Sequence, residues 1–163
     1  MSSVTDSPSK TTRSDVLTAL GFVIAVNVVG ASPAFVFGAD TGWIERPWFF
    51  PPEFVFPVVW TTLFTLMGVA LFLVWRAGTE RREVRVALAV FGAQFALNLA
   101  WTPVFFGLQR PDLGLVVIAL LFPAVAATVV VFDRVDRRAA LLLVPYFVWV
   151  GFAGVLNYAI YAA

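Results

Sequence analysis

The side chains of this sequence with the most specific chemistry are amides and indoles placed at helical spacing within an apolar stretch. Gln94, Asn98, Trp101 and Phe105 fall at positions i, i+4, i+7 and i+11, so they share one face of a helix. An amide that faces lipid is costly, and this face is therefore predicted to look into a helical bundle. The alternative is that both amides only hydrogen-bond neighbouring helices, which such groups do for about 1 kcal/mol each.

Aromatic stripes with the same periodicity occur in two other parts of the chain. They consist of Trp60, Phe64, Met67 and Leu71, and of Trp149, Ala153, Leu156 and Ile160. Such stripes often serve packing alone. Two further tryptophans converging on the two amides instead favour a cavity for a flat, mostly apolar ligand with a few polar edges.

Several other kinds of chemistry are excluded by composition. The chain has no cysteine and no histidine, which removes disulfides, thiol and histidine catalysis, most zinc sites and the usual axial ligands of haem iron. We expect no metal site and no covalently bound cofactor. The only lysine, Lys10, lies near the N-terminus, so a retinal Schiff base in mid-helix is excluded too. A net charge of +1 gives no reason to expect a nucleic acid partner.

The composition also indicates whether these residues lie in a water-soluble domain or in a membrane. The 163 residues are 61% hydrophobic and 13% charged, far more apolar than a soluble domain. In lipid only helices or closed barrels satisfy the backbone, and the long runs lack the alternation of a barrel. The fold class predicted is an all-α membrane protein, a bundle of five transmembrane helices.

Five apolar runs are long enough to cross a bilayer of about 30 Å. They form a single membrane domain over residues 15–163, after a polar N-terminal tail at 1–14 that is predicted to be flexible. The sequence Val29-Gly30-Ala31 also loosely fits a signal-peptide cleavage site, although the run before it is long for a signal. The predicted spans are 16–37, 54–75, 84–108, 113–132 and 139–162.

The basic residues predict the orientation in the cell membrane. Nine of them lie in the tail and in the second and fourth loops, and only Arg46 and Arg110 lie on the other side. We therefore expect a cytoplasmic N-terminus, with the first loop and the C-terminus outside. The nine are Lys10, Arg13, Arg76, Arg81, Arg82, Arg85, Arg134, Arg137 and Arg138.

The first loop, residues 38–52, is the most unusual connection in the chain because it crowds tryptophan and phenylalanine beside proline and charge. An interfacial aromatic belt is one interpretation. The other is a stiff lid over the open end of the bundle, in which Arg46 meets an anionic group such as a carboxylate.

Small residues repeat every four positions on the opposite side of the third span, at Gly92, Ala96 and Ala100. Such a stripe lets two helix backbones approach closely. It predicts either the interface of a homodimer or a contact within the chain.

Three ordered segments carry a resemblance to one family, the TspO/MBR translocator family. The first segment is the loop Arg46-Pro47-Trp48-Phe49-Phe50-Pro51-Pro52 with Phe56, Trp60, Leu63, Phe64 and Met67-Gly68. The second is Gln94, Leu97-Asn98, Trp101, Pro103 and Phe105-Phe106-Gly107. The third is Pro145-Tyr146, Trp149, Ala153 and Leu156-Asn157.

The resemblance implies a commonly dimeric bundle with a pocket under the first loop for porphyrins, such as protoporphyrin IX, and for drug-like ligands. It implies a translocator or sensor protein with no dedicated catalytic residues. The alternatives are a light-dependent porphyrin-degrading enzyme, in which Trp60 and Trp149 would take part, and a small-solute transporter. The transporter is disfavoured because no carboxylate lies in mid-span. The ligand-binding residues predicted are Arg46, Phe49, Trp60, Phe64, Gln94, Asn98, Trp101, Trp149, Ala153 and Asn157.

Some positions depart from the family pattern. Arg46 replaces Lys, Phe49 replaces Trp and Phe64 replaces Tyr, so the pocket loses a hydroxyl group. A sterol-recognition pattern would need a basic residue after Tyr158, and none follows it. Sterol or another lipid is accordingly a weaker partner prediction than a tetrapyrrole.

Overall fold

A computed structural model describes residues 12–163, and the first helix begins almost at their start. Helix α1, Arg13–Phe37, is capped by Thr12, whose hydroxyl accepts from the Asp15 amide at 3.3 Å while the Asp15 carboxylate accepts from the Thr12 amide at 3.0 Å. This reciprocal capping box extends the helix into the segment predicted as a tail, since Arg13 and Ser14 are helical. The remainder of that segment, 1–11 with Lys10, lies outside the described residues.

Four more helices occupy the other predicted spans. They are α2, Val55–Trp75; α3, Arg82–Thr102; α4, Pro111–Asp133; and α5, Arg137–Ala162. All five are long and apolar enough to cross a membrane. The predicted fold class, an all-helical membrane protein with five spans, is confirmed for residues 12–163.

The third span differs from its prediction as one continuous helix to residue 108. The α-helix ends at Thr102, and Pro103–Gly107 form a π-helical turn in which the Leu108 amide donates to the Pro103 carbonyl at 2.9 Å. The physical reason is Pro103, which has no N–H to continue the regular ladder.

The helices form a ring in the order α1, α2, α5, α4, α3, and α3 returns to α1. The closest association is between α4 and α5, whereas α3 touches α1 only lightly. At one point α1 and α2 approach backbone to backbone, because a Cβ on Gly68 would lie 2.6 Å from Val23 Cα. The tightly packed part of the core includes Met67, Ala70, Val74, Val125, Phe132 and Leu143.

Candidate functional site

A cavity of about 540 Å³ lies between the helices at the end of the bundle that the first loop covers. Its walls come from α1, α2, α3, α5 and the π-helical turn, with two side chains of α4. The three stripes predicted to face inward therefore meet around one space. The predicted site residues that line it are Trp60, Phe64, Asn98, Trp101, Trp149, Ala153 and Asn157.

Three of the predicted residues do not line the cavity. Gln94 is fully buried one helical turn before Asn98, and its side chain contacts Tyr146 instead of the open space. Arg46 and Phe49 both lie on the first loop, outside the cavity lining, where the neighbouring Phe50 takes part in the lining. Gln94 lies on the same face of α3 as Asn98, but a shared face does not define how deep a cavity reaches.

The first loop covers the cavity with some of its side chains and exposes others. Ile44 is buried and lines the cavity together with Asp40 and Thr41. Trp43 packs on Phe105, with ring centroids 5.4 Å apart. Trp48, in contrast, is 95% exposed, as expected for a residue at the membrane interface. The loop thus combines the geometry of a lid with one belt-like tryptophan.

The mouth of the cavity is held by a charged contact within this loop. The Arg46 guanidinium donates to the Glu53 carboxylate and, at 2.8 Å, to the Thr41 hydroxyl, and it lies 5.2 Å from the Phe50 ring centroid. Hydrogen bonds from Thr41 and Arg46 lower the pKa of Glu53. The cation predicted to meet an anionic ligand is therefore already paired within the chain.

Aromatic rings supply most of the cavity wall. Trp60 stacks on Phe64 with centroids 5.3 Å apart, and Trp101 stacks on Phe105 at 4.6 Å. Trp149 meets Phe56 edge to face at 6.2 Å. Because each indole is braced by a phenyl ring, these walls keep flat faces available to a ligand.

A first buried polar network fixes Trp101 at the wall. The Trp101 indole donates to Asn157 Oδ1 at 3.1 Å, and Asn157 Nδ2 donates to the Pro111 carbonyl at 2.8 Å. Gly114 leaves room for this arrangement, since a Cβ there would lie 2.7 Å from Asn157 Oδ1. The network joins α3, α5 and the start of α4, and we call it the indole network.

A second buried network lies at the deep end of the cavity. Asn98 Nδ2 donates to the Tyr146 hydroxyl at 2.9 Å, and that hydroxyl donates to Gln94 Oε1 at 2.9 Å. Gln94 Nε2 has no hydrogen-bond partner among the described residues. We call this set the tyrosine network; among its three members, only Asn98 lines the cavity.

Helix α1 contributes lining that the sequence interpretation did not include. Asn27 lines the cavity, and its Nδ2 donates to the Val23 carbonyl at 3.0 Å and to Thr65 Oγ1 at 3.2 Å. An amide within the first apolar run is the same signal that identified Gln94 and Asn98, and it was present in the sequence. Small residues of α1 also line the cavity, namely Gly30, Ala31 and Ala34.

The small-residue stripe of α3 lies on the outside of the chain. Gly92 and Ala96 are exposed and Ala100 is half-buried. A Cβ on Gly92 would meet no other helix or side chain of residues 12–163 within 4 Å.

The chain is similar to the proteins of one known family. The profile of the TspO/MBR family matches residues 19–162. The chain is 47% identical over 117 residues to the "Tryptophan-rich protein TspO" of Chlorobaculum tepidum, covering 72% of this chain and 74% of the relative. It is 37% identical over 150 residues to the human "Translocator protein", covering 88% of each. It is also 40% identical over 115 residues to the "Tryptophan-rich sensory protein" of Cereibacter sphaeroides, covering 71% and 70%.

Proposed function

Because the chain belongs to the TspO/MBR family, we propose that it is a translocator or sensor protein that binds a tetrapyrrole, such as protoporphyrin IX, in the cavity beneath the first loop. The observation that carries the proposal is the convergence of Trp60, Trp101 and Trp149 on one space with an amide, Asn98, at its deep end. Flat indole faces with a few polar groups suit a planar, mostly apolar macrocycle.

The size and lining of the cavity support this ligand class. A volume of about 540 Å³ falls within the roughly 300–1,000 Å³ typical of small-molecule sites. Burial of an apolar macrocycle contributes about 25 cal/mol per Å² of apolar area removed from water. In this proposal the polar edge of the macrocycle lies at the mouth, where a propionate competes with Glu53 for Arg46, which supports the choice of an anionic ligand.

We further propose that the mouth of the cavity opens on the outer side of the cell membrane, with the N-terminus in the cytoplasm. The supporting observation is the excess of arginine in the loops at the opposite end of the bundle, between α2 and α3 and between α4 and α5. A ligand that enters by the mouth therefore arrives from outside the cytoplasm.

The test is titration of the purified protein with protoporphyrin IX, followed by quenching of tryptophan fluorescence. We expect saturable quenching in the micromolar range, and about two- to tenfold weaker binding in Trp60→Phe or Trp149→Phe, since each loses part of an aromatic contact. The matched control is Trp75→Phe: Trp75 packs on Phe22 at 5.5 Å, and it does not line the cavity. Quenching that does not saturate, or equal loss in all three variants, would contradict the proposal.

A second candidate activity is light-dependent degradation of the bound porphyrin. It is favoured by one observation, that Trp60 and Trp149 both line the cavity within reach of the same ligand. Illumination of the complex would then give a product that Trp60→Phe does not give, whereas a product formed equally by free porphyrin in detergent would leave binding as the only activity.

We also propose that the exposed stripe of Gly92 and Ala96 is the contact surface of a homodimer. Small residues let two helices approach closely in lipid, and none of the residues that the structure describes covers Gly92. In Gly92→Leu the bulky side chain would separate the backbones, and crosslinking in native membranes would show loss of the dimer.

A further inference from the structure

The tyrosine network raises a question of hydrogen-bond direction at the deep end of the cavity. Its three side chains are almost completely inaccessible, with exposures of 0% for Gln94, 7% for Asn98 and 1% for Tyr146. Each of the two hydrogen bonds measures 2.9 Å. The series of hydrogen bonds ends at Gln94, whose Nε2 is buried without a partner among the described residues. A buried unpaired N–H group is rare and costly, so this end of the network requires an explanation.

The network can run in either direction. As described, Asn98 donates to Tyr146 and Tyr146 donates to Gln94, which leaves Asn98 Oδ1 as an acceptor on the side of the cavity. If both amide groups turn over and the hydroxyl rotates, Gln94 donates to Tyr146 and Tyr146 donates to Asn98. Asn98 then presents N–H groups to the cavity instead.

The two directions are closely balanced in free energy. Each has the same two internal hydrogen bonds, because a hydroxyl both donates and accepts and an amide offers both functions. The first direction leaves both N–H groups of Gln94 Nε2 unpaired, and the second leaves one N–H group and the carbonyl oxygen, so each leaves two hydrogen-bonding functions of Gln94 without a partner among the described residues. Since no internal contact strongly favours one direction, a ligand at Asn98 is able to select between them.

We propose that Tyr146 and Gln94 are specificity-determining positioning residues, which allow Asn98 to meet either a hydrogen-bond donor or an acceptor on a ligand. The inference rests on the proposed function only in taking the cavity as a ligand site. It extends the ligand class to planar aromatic compounds that carry either a hydrogen-bond donor or an acceptor at the edge that reaches Asn98. Neither Tyr146 nor Gln94 lines the cavity, so both act through Asn98.

The indole network, in contrast, cannot reverse its hydrogen-bond direction. Trp101 Nε1 can only donate and the Pro111 carbonyl can only accept, so Asn157 between them is held in one orientation. Of the amides that line the cavity, Asn157 thus has a fixed direction, whereas the direction of Asn98 is reversible.

Three planar probes that share a three-ring frame test the proposal: carbazole carries an N–H donor, fluorenone a carbonyl acceptor, and fluorene neither. Their affinities for the purified full chain in detergent are measured by calorimetry. We expect the wild-type protein to bind both carbazole and fluorenone more tightly than fluorene. Binding of only one of them above fluorene would overturn the reversible network.

The variant Gln94→Leu removes the acceptor at the end of the network. Asn98 Oδ1 is then the remaining acceptor for the Tyr146 O–H, and because a buried unpaired donor is costly, this fixes the N–H groups of Asn98 toward the cavity. We expect the ratio of fluorenone affinity to carbazole affinity to rise about fivefold, the value of one hydrogen bond. If this variant does not fold, Gln94→Met keeps the length of the side chain and makes the same test.

Two controls separate positioning from a general structural effect. Thr128→Val removes another fully buried polar group, whose hydroxyl donates to the Ala124 carbonyl at 2.7 Å outside the cavity, and it should leave the ratio unchanged. In a Tyr146→Phe background, Gln94→Leu should no longer change the ratio, because the connection to Asn98 is lost. An unchanged ratio in Gln94→Leu, or an equal change in Thr128→Val, would refute the inference. Porphyrin quenching is measured separately, so the proposed function can fail while this inference stands, and the reverse.

Discussion

The two buried networks beside the cavity use the same kinds of groups and differ in how they end. The indole network begins at an obligate donor, Trp101, and ends at an obligate acceptor, the Pro111 carbonyl. The tyrosine network begins at an amide, Asn98, and ends at another, Gln94, whose Nε2 amino group is unpaired among the described residues. The first is therefore suited to holding structure and the second to meeting a variable partner.

Their positions in the fold agree with this division. The indole network connects three helices at the level of the aromatic wall, close to the loop that joins the π-helical turn to α4. The tyrosine network connects only α3 and α5. The indole network therefore contributes mainly to the stability of the fold, and the tyrosine network contributes mainly to ligand specificity. Substitutions in the two networks should show this difference experimentally.

The largest effect is expected from Asn157→Leu. It leaves the Trp101 indole N–H without its partner and removes the side-chain hydrogen bond to the Pro111 carbonyl, which keeps its backbone bond within α4, at a cost of about 3 kcal/mol. Gln94→Leu removes one hydrogen bond but also removes an unpaired donor, so we expect it to cost about 1 kcal/mol or less. Denaturant unfolding in detergent checks both values. Equal destabilisation by the two variants would abolish the distinction between the networks.

A smaller effect is expected from Gly114→Ala, which removes no hydrogen bond but fills the space beside Asn157. In Gly114→Ala the new methyl group would lie 2.7 Å from Asn157 Oδ1 and 3.1 Å from Phe105 Cδ2, which we expect to cost about 2 kcal/mol. Gly21→Ala, in α1, is the matched control, since none of the described residues lies within 4 Å of its added atom. The helical preference of alanine over glycine should make the control neutral or slightly stabilising. Thermal unfolding of both variants checks this, and a stable Gly114→Ala protein would show that the close approach is not needed.

The helical spacing of the sequence relates the directions of side chains, because a period of 3.6 residues determines which residues share a face. Trp60, Asn98, Trp101 and Trp149 all line the cavity. The spacing did not separate Asn98 from Gln94, since both lie on one face and only the packing of Tyr146 between them defines where the cavity ends.

Contacts that depend on the path of a loop were beyond sequence reasoning. Arg46 and Glu53 are seven positions apart across a proline-rich segment, and no periodic pattern relates them. Pro103 was visible within the third span, yet its consequence, the π-helical turn, was not predicted. The family itself was recognisable because its motifs span three helices in order.

The smallest effect is expected for the contact between Arg46 and Glu53 at the mouth of the cavity, because this pair is exposed whereas the two networks are buried. Hydrogen bonds from Thr41 and Arg46 hold the pKa of Glu53 below its ordinary value of 4.5. A carboxylate with a lowered pKa stabilises the folded loop above that ordinary value, and the stabilisation is lost as the pH falls through the lowered pKa. We therefore expect amides of the first loop to exchange hydrogen about twofold faster in Glu53→Gln than in the wild type at about pH 7, a small effect because the pair is solvent-exposed. The difference should persist at about pH 4.5 and disappear at lower pH, where the wild-type carboxyl is protonated as well.

Glu45→Gln is the matched control, since Glu45 is an exposed carboxylate of the same loop with no side-chain hydrogen bond to the described residues. Hydrogen exchange of the loop amides in this variant should follow the wild type at every pH. A difference between Glu53→Gln and the wild type that does not depend on pH would mean that the substitution acts on the loop by a route other than the lost charge.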